Sequence, residues 1–207
     1  MASEPDATRG LLVDWGGVMT TNLFTSFASF CEGEGLQAQA LVHQLRDDAQ
    51  SRSLVIALET GELDEGEFER AFAERLGVGA DGLVDRLFAG SEPDPDMQDA
   101  VLRARRAGIP TGLLSNSWGT RRYPHERLTE LFDTVTISGE VGLRKPAPEI
   151  YELAAQRIGV AAEQCVFVDD IPSNLEPAAQ LGMATVHHRA SAQTIAELER
   201  LLRVRLR

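Results

Sequence analysis

Lysine is almost absent from this chain of 207 residues: Lys145 stands alone, and the other nineteen basic side chains are arginines. Positive charge of either kind is scarce, because 32 acidic residues face 20 basic ones and leave a formal net charge of -12. That balance excludes a nucleic-acid footprint, which needs clustered Lys and Arg against phosphates. The one basic spot is the ending "LLRVRLR", which reads as the cationic last turn of a C-terminal helix. No apolar run approaches the roughly 20 residues of a membrane span. The start "MASEPDATRG" lacks the basic-then-apolar layout of a secretion signal and reads as a frayed tail. Cysteine is nearly missing too. Cys31 and Cys165 lie far apart with no CxxC partner or histidine at metal-ligand spacing, so both read as reduced packing residues of a cytoplasmic protein.

What is present is ordinary globular material, 43% hydrophobic and 25% charged. The length suits one sizeable core, alone or with a smaller inserted domain. Short apolar runs predict strands at Gly10 to Asp14, Thr111 to Ser115, Thr134 to Ser138, Val166 to Asp169 and Ala184 to His187. Helical patterns separate the last four, as in a parallel sheet covered on both faces. In "PDMQDAVLRARRAG", Met97, Val101 and Ala104 share a helical face and Gly108 is a natural stop. The segment "IPSNLEPAAQLG" opens on Pro172 and ends at Gly182, while Pro177 inside it is expected to bend or shorten the helix.

Some eighty residues separate the first strand from the helix leading into the second, too many for a simple crossover. They carry helical patterns of their own: "LQAQALVHQLRDD", "DGLVDRLFAG", and "LDEGEFERAFAERLG" with Asp64 and Glu67 in a capping-box pattern. The expected organisation is therefore an α/β core from residues 1–18 and 92–207 with a helical insert at 19–91. That insert follows Asp14 on the carboxyl side of the sheet, where open parallel sheets bind ligands.

Polar groups recur at the carboxyl ends of the predicted strands or in the loops beside them: Asp14 in "LLVDWGG", Ser115 in "GLLSNSW", Lys145 in "GLRKPAPEIY", and Asp169 with Asp170 in "CVFVDDIPSN". Three carboxylates converging in one crevice cannot all ionise without a cation between them, and a hard divalent ion such as Mg²⁺ resolves the repulsion. One Lys and one Ser opposite such an ion suit the oxygens of a phosphoryl group.

This ordered set, split by a helical insert, resembles the haloacid dehalogenase superfamily with a helical C1-type cap. The words "SNSW", "KPAPEIY" and "VFVDDIPSNLEPAAQLGM" are most similar to the phosphatase-like domain at the N-terminus of soluble epoxide hydrolase and its bacterial relatives. The resemblance implies a Rossmann-like parallel sheet and a Mg²⁺-dependent phosphatase acting on a small phosphorylated metabolite. It implies Asp14 as the nucleophile that takes the phosphoryl group as an aspartyl phosphate, Ser115 and the amide of Asn116 as donors to phosphoryl oxygens, and Lys145 as the neutralising charge. Mg²⁺ would be held by Asp14, the carbonyl of Gly16, Asp170 directly, and Asp169 directly or through water. Trp118 at the pocket mouth and Arg144 beside Lys145 are further candidates for substrate contact.

One departure stands out. In most phosphatases of this family the residue two after the nucleophile is a second Asp that protonates the leaving oxygen and later activates water; here it is Gly16. General acid-base help is worth about 10²–10⁴-fold, so slow turnover is expected, with a preference for leaving groups that need little protonation: anomeric sugar, acyl or aryl phosphates. His125 is a candidate stand-in for the acid, His187 and His188 end the last strand, and Thr20, Thr21 and Asn22 mark the expected hinge. The alternatives are a non-catalytic protein that binds a phosphorylated ligand or a protein partner and, less favoured, a dehalogenase. A monomer or a homodimer fits equally.

Overall fold

A computed structural model describes residues 9–37 and 39–207. Most of the segment read as a frayed tail, residues 1–8, lies outside them. Five strands form the sheet: β1 (Gly10–Val13), β2 (Thr111–Ser115), β3 (Thr134–Ile137), β4 (Cys165–Asp169) and β5 (Ala184–His187). Their spatial order is β3-β2-β1-β4-β5, and every neighbouring pair is parallel. Three of the five, β1, β2 and β4, are buried along their whole length, as strands covered on both faces must be.

Alternation along β1 shows how the layers form, because successive side chains of a strand point to opposite faces. Leu11 and Val13 join one apolar cluster with Met97, Val101 and Ala104 of α6 (Pro95–Arg106), Leu128 and Leu131, and Ile195 and Leu198. Leu12, between them, joins another with Ile150, Tyr151 and Ala154. The first face is therefore covered by α6, α7 (His125–Leu131) and α11 (Ser191–Leu202), and the second by α9 (Pro148–Ile158) and α10 (Pro172–Gln180). A single turn, α8 (Ser138–Val141), closes β3.

Between β1 and α6 lie five helices: α1 (Leu23–Gly33), α2 (Ala40–Asp47), α3 (Ala49–Glu59), α4 (Glu65–Leu76) and α5 (Leu83–Phe88). They bury a cluster of their own, with Phe27, Phe30, Leu41, Leu58, Phe68 and Phe72 among its members. Side-chain caps set their starts: Asn22, Asp48 and Asp64 accept from the amides of Phe24, Ser51 and Glu67 at 2.8, 2.7 and 2.8 Å. The chain enters and leaves this helical unit side by side, with Thr21 N–H donating to the Glu92 carbonyl at 2.7 Å and Asp94 N–H to that of Met19 at 2.9 Å.

Two local expectations are corrected. Pro177 does not end α10, which runs on to Gln180; Ser173, whose carbonyl the proline leaves without a donor, is exposed, so water can serve it. The basic ending is not the last turn of α11 either. That helix stops at Leu202, Arg203 takes a left-handed conformation (φ 55°), and Leu206 folds back into the core with its N–H donating to Glu199.

Leu12→Ala is expected to cost about 2–5 kcal/mol, because its fully buried side chain sits between β1 and α9. Urea unfolding checks this as a lower midpoint at an unchanged slope.

Candidate active site

The strand order reverses at β1: the chain moves to β2 on one side and returns to β4 on the other. At such a switch point the carboxyl ends of the strands splay and leave a crevice. Register brings the polar strand ends level, since Val13 pairs with both Leu113 and Val168, and Asp14 N–H donates to the Val168 carbonyl at 2.9 Å. Asp14, Ser115 and Asp169 thus gather at one place although some hundred and fifty residues separate the first from the last.

Lys145 completes the group from the loop before α9. Its side chain has no exposed surface, and Nζ stands 3.0 Å from Asp14 Oδ1 and 2.6 Å from Asp169 Oδ2. Asp14 Oδ1 also accepts from Trp15 N–H at 2.7 Å, so both of these contacts fall on one oxygen and Oδ2 takes neither. Asp169 is more fully engaged: Oδ1 accepts from Ile171 N–H at 2.8 Å, and Asn174 Nδ2 reaches both oxygens at 3.2 and 3.1 Å.

Asp170 differs. Its Oδ1 is buried with no hydrogen-bond partner among the described residues, which is costly for a carboxylate unless something else meets it. Oxygens of Asp14, Asp169 and Asp170 all lie within 4.8 Å of one another. An acidic cluster with one orphaned buried oxygen and only oxygen donors fits a hard divalent cation. The turn after Asp14 is shaped around the same group: Gly17 has φ 73°, and a Cβ there would stand 2.3 Å from Asp170 Oδ2. Only glycine meets both conditions.

Charge states follow from burial. Burial pushes the Asp14 carboxyl up to about 7, with Lys145 pulling against the shift and Asp169 and Asp170 adding to it. Asp170 is pushed up to about 6, again by burial first and then by Asp169. For Lys145 burial opposes the charge, yet Asp14 and Asp169 hold it above the usual lysine range.

The remaining candidates divide. Ser115 is buried and its Oγ lies 2.8 Å from Tyr123 Oη. Asn116 clamps the Lys145 backbone, accepting its N–H on Oδ1 at 2.9 Å and donating from Nδ2 to its carbonyl at 3.0 Å. Arg144 Nε donates to Glu59 Oε2 at 2.6 Å. Trp118 lines the cavity, but it also packs against Phe27, Phe68, Phe72 and Phe88 of the helical unit with ring centroids 5.6–6.2 Å away. Gly16 lines the cavity in the turn closed by Met19 N–H on the Trp15 carbonyl.

His125, the candidate stand-in acid, is exposed at the start of α7 and does not line the cavity. His187 Nε2 lies 3.1 Å from the Asp170 carbonyl, while His188 is buried beside Thr194 and its imidazole is pushed down by that burial. Thr20 Oγ1 accepts from Gly17 N–H at 3.1 Å, Thr21 Oγ1 from Glu92 N–H at 3.0 Å, and Asn22 caps α1. Sequence reasoning missed Tyr123, Glu59 and Asn174. Only Asn174 left a trace, inside the quoted "DDIPSN".

Above these groups a cavity of about 970 Å³ opens between sheet and helices. One wall is apolar, built by Leu23, Phe24, Phe27, Val55, Ile56 and Phe88.

The family model of the haloacid dehalogenase-like hydrolases matches residues 8–182. The chain belongs to that family. The bifunctional epoxide hydrolase 2 of Sus scrofa is 30% identical over 131 residues, 60% of this chain and 24% of that protein. The glyceraldehyde 3-phosphate phosphatase of Methanopyrus kandleri is 33% identical over 51% of this chain and 47% of its own length. A sesquiterpene phosphatase of Aspergillus oryzae is 37% identical over 53% and 58%. The matched segment thus spans less than two thirds of each of these relatives. Among solved structures, a HAD-like hydrolase of Porphyromonas gingivalis superposes with a TM-score of 0.74 at 25% identity, over 96% of this chain and 100% of that one. A HAD family enzyme of Bacteroides thetaiotaomicron, solved with magnesium and inorganic phosphate, gives 0.66 at 22% identity over 88% and 94% and shares the fold. The chain therefore has the family's α/β core. No helix among its described residues is long and apolar enough to cross a membrane.

A carboxyl raised on folding holds its proton more tightly in the folded state. For Asp14 the folded state therefore loses stability as pH climbs from the ordinary 3.8 through about 7. A divalent cation held by these carboxylates would relieve that cost and compete with those protons. Millimolar Mg²⁺ is expected to raise the thermal midpoint by several degrees near pH 8 and to leave it unchanged near pH 5, as differential scanning fluorimetry reads; chelator should reverse the rise.

Proposed function

We propose that the protein is a Mg²⁺-dependent phosphatase working through an aspartyl phosphate on Asp14, and that residues 19–91 act as its cap. The observation that supports this most is the buried Lys145 ammonium bridging Asp14 and Asp169 beside the orphaned Asp170 oxygen. Dehalogenation needs no metal, whereas the orphaned carboxylate in this acidic cluster suits one. The phosphatases among the relatives, and the magnesium and phosphate held by a protein of the same fold, agree with the reading.

The roles follow from the contacts. Lys145 keeps Asp14 ionised and meets the phosphoryl charge. The Ser115 hydroxyl and the Asn116 amide donate to phosphoryl oxygens. Asp14 Oδ2 attacks phosphorus, the bond from phosphorus to the ester oxygen breaks, and its electron pair leaves on that oxygen. Water then attacks phosphorus of the aspartyl phosphate, the bond from phosphorus to Asp14 Oδ2 breaks with its electron pair so that Asp14 departs as carboxylate, and the water's proton passes to solvent as inorganic phosphate forms. Asp14, Asp170, the Gly16 carbonyl and Asp169, the last through water because its oxygens are engaged, would hold the Mg²⁺, which supplies charge neutralisation at the phosphoryl group.

The leaving group is where Gly16 departs from the usual pattern of the phosphatases this chain resembles. A Cβ at Gly16 would stand 2.7 Å from Leu23 Cδ1, so an apolar side chain of α1 fills the space a second aspartate would enter. No side chain there protonates the departing oxygen. With the apolar wall beside it, the site suits monoesters whose leaving group is apolar and of low pKa, aryl or acyl rather than sugar. The sesquiterpene phosphatase among the relatives fits an apolar leaving group.

Turnover of p-nitrophenyl phosphate should require Mg²⁺ and vanish in Asp14→Asn. No turnover in the wild type at saturating metal would leave a ligand-binding role in its place. Across substituted phenyl phosphates the rate should fall steeply as leaving-group pKa rises; a flat series would remove the argument from Gly16. The double variant Gly16→Asp/Leu23→Ala should speed alkyl phosphates by up to about 10²-fold relative to aryl ones, whereas Gly16→Asp alone gains less because Leu23 obstructs it.

A further inference from the structure

Glu59 is buried and the steps above do not use it. It is the last residue of α3, so it belongs to the helical unit, yet its contacts reach into the core. Oε2 accepts from Arg144 Nε at 2.6 Å, and Asn116 Nδ2 lies 3.5 Å away. Arg144 precedes Lys145 in the chain, and Asn116 holds the Lys145 backbone by both its N–H and its carbonyl. We propose that Glu59 is a positioning residue: with the helical unit closed, its carboxylate fixes Arg144 and Asn116 and thereby sets Lys145 between Asp14 and Asp169. This rests on the phosphatase reading for the role of Lys145, though not for the contacts.

The energetics favour placement over adhesion. Removing the Glu59 charge from water is costly, and an apolar pair of similar volume usually serves stability as well or better. Burial pushes the Glu59 carboxyl up, and the Arg144 guanidinium, itself half-buried, works against that shift. A pair of this kind gains little as glue.

The unit already has glue elsewhere. Glu65 accepts from Arg121 Nε at 2.8 Å and from Arg122 Nη1 and Nη2 at 2.6 and 2.8 Å, and Asp85 accepts from both arginines. That second clasp joins the same two parts of the molecule without touching the Lys145 loop. The two links therefore separate adhesion from positioning. Lifting the helices withdraws Glu59, frees Arg144, and leaves Asn116 alone to hold the lysine loop, so the phosphoryl site is complete only when closed.

The test compares Glu59→Ala and Glu59→Gln with Glu65→Gln in the Mg²⁺-loaded full chain, by amide hydrogen exchange and by p-nitrophenyl phosphate kinetics. Exchange over residues 143–147 should quicken at least about tenfold in Glu59→Ala, less in Glu59→Gln, and little in Glu65→Gln. The kcat should fall by about 10- to 100-fold in Glu59→Ala, with Glu59→Gln between it and wild type because it keeps an acceptor for Arg144. In an Asn116→Ala background the Glu59→Ala loss should shrink, since the two act through one loop.

Unchanged exchange at 143–147 in both Glu59 variants would overturn the proposal, as would equal loosening by Glu65→Gln or losses that simply multiply. Should Glu59→Ala fail to fold, Glu59→Gln carries the same comparison. Exchange needs no turnover, so a wild type that hydrolyses nothing while its variants loosen would sink the phosphatase reading and keep this one. Turnover with an undisturbed loop would do the reverse.

Discussion

One ammonium group among three carboxylates governs this molecule. Lys145 Nζ has no exposed surface and is held by Asp14 and Asp169 at 3.0 and 2.6 Å, with the Phe167 ring 5.3 Å away. A buried cation is tolerable only with such partners. Three carboxylates with a single cation still leave excess negative charge, which adds to the burial that raises the Asp14 and Asp170 carboxyls. The site is therefore strained toward cations and protons, and everything around it manages that imbalance: the glycine turn that makes room for Asp170, the Asn174 amide that satisfies Asp169, the Asn116 clamp on the lysine loop.

The sheet makes the convergence possible at small cost. Strands β1, β2 and β4 are central and buried on both faces, and the one charged residue in them, Asp169, is the last of β4. The acidic cluster lies in the crevice, and the helices after β1 supply the apolar wall above it.

How much of this the sequence revealed depended on how local each signal was. The five strands were legible to within a residue because short apolar runs stop at turn chemistry or at a polar strand end. Asp14, Ser115, Lys145 and the Asp169-Asp170 pair were legible because each ends or follows such a run. Tyr123 and Glu59 were not: Tyr123 sits in an irregular loop and reaches back eight residues to Ser115, Glu59 meets Arg144 across 85 residues, and nothing near either repeats. In α3 the apolar residues "LVIAL" are contiguous, so no periodicity betrays the helix that carries Glu59. Trp118 was read from its place beside "SNS" as a pocket residue. Its sequence neighbours carry no sign of the four phenylalanines that surround it. Pro177 and the basic ending were misjudged because both depend on what the surrounding chain leaves open to water or folds over.

The aromatic packing of Trp118 bears on how modular this architecture is. Helices α1–α5 look like an insert that could be cut out and exchanged, since the chain enters and leaves them side by side. Yet the indole at the centre of their Phe27, Phe68, Phe72 and Phe88 cluster is donated by the loop after β2. Excised alone, the insert would carry a hole in its own interior the size of the largest side chain. Transplanted onto another sheet, it would need that sheet to offer a tryptophan at the matching place. The boundary drawn by the chain and the boundary drawn by packing are thus not the same line.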